Sequence, residues 1–365
     1  MPIAAARTDG QWSRHSRLPA PSGVITVWAA EGHPRTCGVE PPGQARRMQH
    51  RSWPAPYRPH AVQTIERASP GRYRVVPPTR LRPSRAGGCN RSPSRIWARS
   101  EGWDMADGYR GKRVVVTGCA SGIGAAVAKA LLAQGAHVIG LDRIASPHGL
   151  DKFLAVDLAD PAAIDTMLTT LAAGGAVDAL FNCAGLAPTQ PKLAILKVNF
   201  LGTRHLTEGM ATLMPPGSAI VSVSSNGGLR WRAQRALLLD LIRRDGFAEG
   251  LAWLEARADE IINGYAFAKQ ALTVWTLHES ARLIEQGIRL NCTSPGAVET
   301  PMLREIEEKM PGAAIDAATV PIGRRSAPEE QVGPLLFLGS QAASYVNGVD
   351  LAVDGGYAAT VALGE

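Results

Sequence analysis

From Gly111 onward the chain reads as a strand, a glycine loop and a helix in immediate succession. Lys112-Arg113-Val114-Val115-Val116-Thr117 is a short β-branched run, and Gly118-Cys119-Ala120-Ser121-Gly122-Ile123-Gly124 follows without a break. Apolar Ile123, Val127, Ala130 and Leu131 then recur at helical spacing as far as Gln134, where Gly135 supplies a stop. The glycines permit a tight turn and a close backbone approach to a pyrophosphate, whose charge the helix N-terminus meets. Taken alone, the loop reads equally as an ordinary glycine-rich turn.

Three further features favour the dinucleotide reading. A second strand, His137-Val138-Ile139-Gly140-Leu141, ends in Asp142, 24 residues after Gly118, where a carboxylate binds the adenosine ribose diol. Such an acid repels a 2′-phosphate and so favours NAD over NADP, while Arg143 beside it softens that preference. Phe153-Leu154-Ala155-Val156-Asp157-Leu158 is a strand end whose Asp157 reaches toward an adenine edge or is simply solvated. Ala179-Leu180-Phe181-Asn182-Cys183-Ala184-Gly185 is a buried strand opening into a glycine turn.

Composition decides where this pattern begins. The first 100 residues hold 17 Arg, no Lys, 4 acidic residues and 14 of the 26 prolines, a net charge of +13. The remaining 265 carry 22 basic and 28 acidic side chains, so the pI of 9.4 belongs to the first segment and does not point to nucleic acid as a partner of the rest. Proline interrupts every short apolar run in residues 1–108, which therefore read as a disordered or non-native N-terminal extension. A transit peptide, a basic interaction arm and translated upstream sequence compete as explanations; the Arg bias favours the last, with Met105 as the start. Residues 109–365 read as one domain. Five dispersed cysteines suit thiols in a reducing compartment, no Cys/His cluster suggests a metal, and no apolar run of membrane-spanning length occurs. The expectation is a cytoplasmic protein.

These motifs in this order resemble the short-chain dehydrogenase/reductase family. Its T-G-x-x-x-G-I-G loop stands as Thr117 to Gly124, and its N-N-A-G turn as Asn182-Cys183-Ala184-Gly185, with a cysteine at the second position. The resemblance covers about 111–358 and implies an α/β, Rossmann-type, doubly wound parallel sheet of seven strands in the order 3-2-1-4-5-6-7, and a homodimer or homotetramer. It implies cofactor contacts at Gly118, Ser121, Gly122, Ile123, Gly124, Asp142, Asp157, Leu158, Asn182, Ala184 and Gly185. It adds Pro295, Gly296, Val298 and Thr300, from a P-G-x-x-x-T turn that orients the nicotinamide.

A dinucleotide fold fixes no reaction by itself. In Gly264-Tyr265-Ala266-Phe267-Ala268-Lys269 the Tyr and Lys lie four apart on one helix face. A tyrosine loses its proton near pH ~10, and an ammonium one turn away together with an oxidised nicotinamide is expected to lower that value, making Tyr265 an acid/base at the reacting carbon. Ser225, at the end of Ile220-Val221-Ser222-Val223-Ser224-Ser225, matches the family serine that holds the substrate oxygen. Asn199 matches the helix asparagine that supports a water route from Lys269, which in turn bonds the nicotinamide ribose. The tetrad Asn199, Ser225, Tyr265 and Lys269 is complete, which argues against the alternative of a noncatalytic dinucleotide sensor.

Between Ser225 and Tyr265 lie 39 residues, far more than the family's usual connection. Residues 226–263 read as an insertion of two short helices broken at Asp245-Gly246. It is expected to cover the site mouth or form an oligomer contact, against the plainer alternative of an ornament with its own small core. An insertion of this size is similar to those of two family branches, the bacterial coniferyl alcohol dehydrogenases and the 3α-hydroxysteroid dehydrogenase/carbonyl reductases. The text around Gly246-Phe247-Ala248-Glu249-Gly250 favours the first. The substrate implied is a small hydrophobic ring-bearing alcohol or carbonyl, with pocket candidates Leu186, Ala187, Pro188, Trp231, Met302 and Leu303.

Overall fold

The computed structural model describes residues 25–26, 64–69, 72–76, 108–309 and 315–363. The chain separates into two units, residues 1–97 and 98–365. In the first, strands Thr64–Ser69 and Arg72–Val76 form an antiparallel hairpin with Ile25–Thr26 on its outer edge. Sequence reading found no strand period there, because Ile65, Tyr73 and Val75 are too few to stand out among arginines. The rest of the expected extension lies outside the described residues, as do Cys37, Cys89 and Met105.

The second unit is built on seven strands: β1 (Arg113–Thr117), β2 (His137–Asp142), β3 (Lys152–Ala155), β4 (Ala179–Asn182), β5 (Ala219–Val223), β6 (Arg289–Pro295) and β7 (Asp350–Val353). All pair in parallel, in the order β7-β6-β5-β4-β1-β2-β3. That is the expected Rossmann-type order. The central strands are buried on both faces, which explains their continuous apolar text. Alternate residues feed two cores: Val115, Leu180, Ile220 and Leu290 point into one, and Val114, Val116, Phe181 and Val221 into the other.

Helices α1 (Gly122–Ala133) and α9 (Pro328–Gly339) cover one face, and α2 (Pro161–Ala172), α3 (Lys192–Leu196), α4 (Thr203–Ala211) and α7 (Gly264–Leu283) the other. A π-helical turn, Lys197–Gly202, joins α3 to α4. Asn263 starts α7 by accepting a hydrogen bond from the Ala266 amide (2.9 Å). The chain crosses from one side of β1 to the other between β3 and β4. The connections that leave the C-terminal ends of β1 and β4 therefore turn to opposite faces of the sheet, and a crevice opens between them.

The insertion forms α5 (Arg235–Ile242) and α6 (Gly246–Ala256), separated where expected. Its placement differs from the expected cover. Leu238, Leu241, Ile242, Phe247, Trp253, Leu254 and Ile261 sink into the core shared with Phe267, Ala271 and Leu272 of α7. The Trp253 and Phe267 rings stack at 6.3 Å. A Cβ on Gly250 would come within 2.6 Å of Leu201, so α6 lies close against the π-helical turn. An amphipathic stripe announces that a helix is covered, not by what; here the domain core supplies the partner surface, and the insertion has no separate core of its own.

Candidate active site

A cleft of about 740 Å³ occupies the crevice. Its floor at one end is the glycine loop. Gly118 adopts a φ of +69°, and a Cβ there would lie 2.8 Å from the Ala184 backbone; a Cβ on Gly124 would overlap the Gly118 carbonyl oxygen. Gly122, at φ +55°, leaves only 3.1 Å between a Cβ and the Thr300 methyl. Side chains at Gly118 and Gly124 would displace the loop, and one at Gly122 would crowd Thr300 across the cradle. Ser121 precedes α1 without capping it by its side chain, and the first turn contains no acid. The amides of that turn therefore face the cleft end free for an anion.

Asp142 closes the same end. Its Oδ2 accepts from the Ala120 amide (3.0 Å) and its Oδ1 from the Arg143 amide (2.7 Å), so the carboxylate both lines the cleft and holds the loop's shape. Asp157 turns its Oδ1 back to the Ala159 amide (2.8 Å) while remaining on the wall with Leu158. Cys183, Ala184 and Gly185 follow β4, Pro295 ends β6, and Gly296, Val298 and Thr300 follow it; all line the cleft. Thr300 also caps the next helix, α8 (Pro301–Glu307), accepting from Leu303 N at 3.2 Å. These donor and acceptor groups, with the glycine cradle, fit a dinucleotide.

At the other end Ser225, Tyr265 and Lys269 converge. Ser225 follows β5, its hydroxyl accepting from the Gly227 amide (3.1 Å) and donating to Asn226 Oδ1 (3.2 Å), with the Tyr265 phenol beside it. The Lys269 ammonium lies 5.9 Å from the centre of the Tyr265 ring and donates to the Val223 carbonyl at 2.7 Å. Burial dominates both ionisations. It raises the Tyr265 pKa above its ordinary value, opposed by the Ser225 hydrogen bond, and it lowers Lys269 from 10.5 to about 8, against the pull of the Cys183 and Cys292 thiols. The expected acidification of Tyr265, which counts the charge of an oxidised nicotinamide as well as that of Lys269, is opposed in the protein alone by desolvation.

Some expected residues lie off the cleft wall. Asn182 is buried, donating to Thr207 Oγ1 (2.9 Å) and Ser222 Oγ (3.1 Å), and braces β4 against α4 and β5. Gly124 packs α1 against the loop. Asn199, inside the π-helical turn, clasps both backbone groups of Leu186, accepting from its amide (2.7 Å) and donating to its carbonyl (3.0 Å). A Cβ on Gly185 would stand 3.4 Å from the Asn199 oxygen and 3.8 Å from Lys269 Nζ, so Asn199, behind the wall, and Lys269, on it, flank one glycine. Among the pocket candidates, Leu186, Met302 and Leu303 line the cleft, whereas Ala187, Pro188 and Trp231 do not. Ile144, Val198, Ile306, Ile315 and Ala318 do, and sequence reading missed them. Ile306 was visible in principle, one helical turn beyond Met302 and on the same face.

Fold and cleft together define an α/β protein of dinucleotide-binding type, and the chain belongs to the short-chain dehydrogenase/reductase family of oxidoreductases. Residues 112–237 match the short chain dehydrogenase family, and residues 252–358 the family described as enoyl-(acyl carrier protein) reductase. The chain is similar to the coniferyl-alcohol dehydrogenase of Pseudomonas sp. (strain HR199 / DSM 7063), 36% identical over 68% of this chain and 97% of that protein. It is 33% identical to the 3-alpha-hydroxysteroid dehydrogenase/carbonyl reductase of Comamonas testosteroni, over 67% of this chain and 95% of that one. The crystal structure of the 3-alpha-hydroxysteroid dehydrogenase from Pseudomonas sp. B-0831 complexed with NADH superposes with a TM-score of 0.60 at 30% identity, covering 70% of this chain and 100% of that chain. Among the described residues there is no metal-holding cluster, Cys119, Cys183 and Cys292 are thiols, and no helix is long and apolar enough to cross a membrane.

Proposed function

We propose that the protein oxidises coniferyl alcohol, or a related aromatic allylic alcohol, to its aldehyde with NAD. The observation that carries the reading is the meeting of Ser225, Tyr265 and Lys269 at one end of a cleft whose wall there, Ser224 and Asn226 apart, is largely apolar and whose other end is a glycine cradle. Gly118, Gly122 and the first amides of α1 would hold the pyrophosphate, and Asp142 the ribose diol, its charge disfavouring a 2′-phosphate. The bound nicotinamide supplies a hydride acceptor and, when oxidised, a positive charge. Ser225 Oγ holds the substrate oxygen, and Tyr265 Oη receives the hydroxyl proton as hydride leaves the same carbon. In the reverse direction the phenol, kept neutral by burial, is the proton donor. Lys269 orients the ribose and favours the phenolate once the site is charged.

Leu186, Met302, Leu303, Ile306 and Ile315 suit a flat apolar ring. The same walls, with the likeness to hydroxysteroid dehydrogenases, support a 3α-hydroxysteroid or ring carbonyl as the second reading. A noncatalytic sensor gains no support from the similar proteins, which are named as dehydrogenases. Cofactor reduction measured over cinnamyl alcohols, aryl alcohols and 3α-hydroxysteroids, with NAD and NADP in parallel, tests the proposal. Turnover of coniferyl alcohol with NAD at higher kcat/KM than any steroid supports it; turnover of steroids alone overturns it.

A further inference from the structure

Helix α8 presents Met302, Leu303 and Ile306 to the cleft. At roughly 100° per residue these three form one stripe, and Glu305 and Glu307 fall on its opposite flanks. Both flanks are fastened. On the first, Glu305 Oε1 accepts from the Thr189 hydroxyl and from Gln190 Nε2 (2.6 Å). Both donors sit in the loop between β4 and α3, whose Leu186 lines the same cleft. On the second, Glu307 Oε1 lies 2.6 Å from Arg325 Nη1, and that guanidinium also reaches Glu299 (3.3 Å) and Asp316 (3.0 Å).

The two attachments differ in what they join. Arg325 ties α8 to segments that follow β6, on its own side of the cleft. Glu305 ties it to the β4–α3 loop, reached from a different strand. Met302 is too pliable for its own shape to set the width of the substrate space. That width depends on how far apart the two backbones are held. We propose that Glu305 is a specificity-determining latch, fixing the gap between the loop that carries Leu186 and the stripe that carries Met302 and Ile306. Its bonds are charge-assisted, and the two donors hold the carboxyl below the usual carboxylate range, so the latch stays ionised at neutral pH. Lys309, 4.0 Å away on the following turn, makes only a local pair with it.

The kinetic part of this inference rests on the proposed dehydrogenase function; the structural part does not. Hydrogen exchange of the full chain without ligands should therefore be compared for wild type, Glu305→Ala, Glu305→Gln and Gln190→Ala. In Glu305→Ala, amides in both 186–191 and 301–307 should exchange roughly fivefold faster. Gln190→Ala, made from the other side, should reproduce part of that rise, and Glu305→Gln, which keeps an acceptor oxygen, should restore most of the protection. Acceleration confined to 301–307 would mean a purely local role and overturns the latch. In turnover, Glu305→Ala should raise KM for a planar aromatic alcohol about fivefold and reduce its advantage over bulkier alcohols, with kcat within about twofold and NADH affinity unchanged. An unchanged KM overturns the latch. If wild type oxidises none of these alcohols, the functional reading fails while the exchange comparison still decides the latch.

Discussion

Replacing Lys269 by Met should stabilise the protein at neutral pH while removing its activity. The ammonium is buried, with only 5% of the residue exposed, and burial pulls its pKa from 10.5 to about 8. At ~1.4 kcal/mol per pH unit, that shift is a folding penalty of about 3 kcal/mol. The side chain returns part of it: its hydrogen bond to the Val223 carbonyl contributes about 1 kcal/mol, which the Met variant loses. A net gain of about 2 kcal/mol for Lys269→Met is expected at pH 7. Because the native pKa is the lower one, the penalty is fully present below pH about 8 and fades as pH rises toward 10.5, where the unfolded chain also releases its proton. Urea unfolding of both proteins at several pH values between 7 and 10.5 reads this directly. A variant less stable than wild type at pH 7, or a difference that does not change with pH, would refute the assignment of Lys269 as a charge held in the cleft at a cost to stability.

Other substitutions separate the cleft's parts. Gly124→Ala drives a methyl group onto the Gly118 carbonyl oxygen, so the loop must shift and NADH affinity, followed by fluorescence titration, should fall at least about tenfold. Asp142→Asn keeps an acceptor for the Ala120 amide but removes the charge, and the ratio of kcat/KM for NADP over NAD should rise about tenfold. Leu254→Ala, where the insertion is fully buried in the domain core, should cost about 2–5 kcal/mol in urea unfolding and leave KM unchanged; a KM effect without loss of stability would restore the insertion as a cover over the site.

Most of the fold was readable because local text and global architecture agree. The β1 run, the glycine loop and the stripe on α1 describe one unit, and the buried strand ending at Asn182 marks the point where the sheet order reverses. Tyr265 and Lys269 were legible from a spacing of four. What escaped depended on contacts between distant segments. Asn199 was expected within a plain helix, yet it sits in a π-helical turn, whose wider hydrogen bonding leaves no trace in a 3.6-residue period. The insertion's stripes gave no hint that α7 was their partner. Ile315 and Ala318 line the cleft although no periodicity in the sequence ties them to α8. The burial that opposes ionisation of Tyr265 in the protein alone could not be read from the sequence, whereas the neighbouring charge could.

The central claim is that the Tyr265 oxygen handles the substrate proton beside a bound nicotinamide. Tyr265→Phe tests it most directly, with NADH binding and single-turnover oxidation of coniferyl alcohol measured on the same preparation. The account predicts NADH affinity within about twofold of wild type and a rate at least about 10³-fold lower, the scale of a lost general acid/base. A rate within about tenfold of wild type, with the cofactor bound, would contradict it.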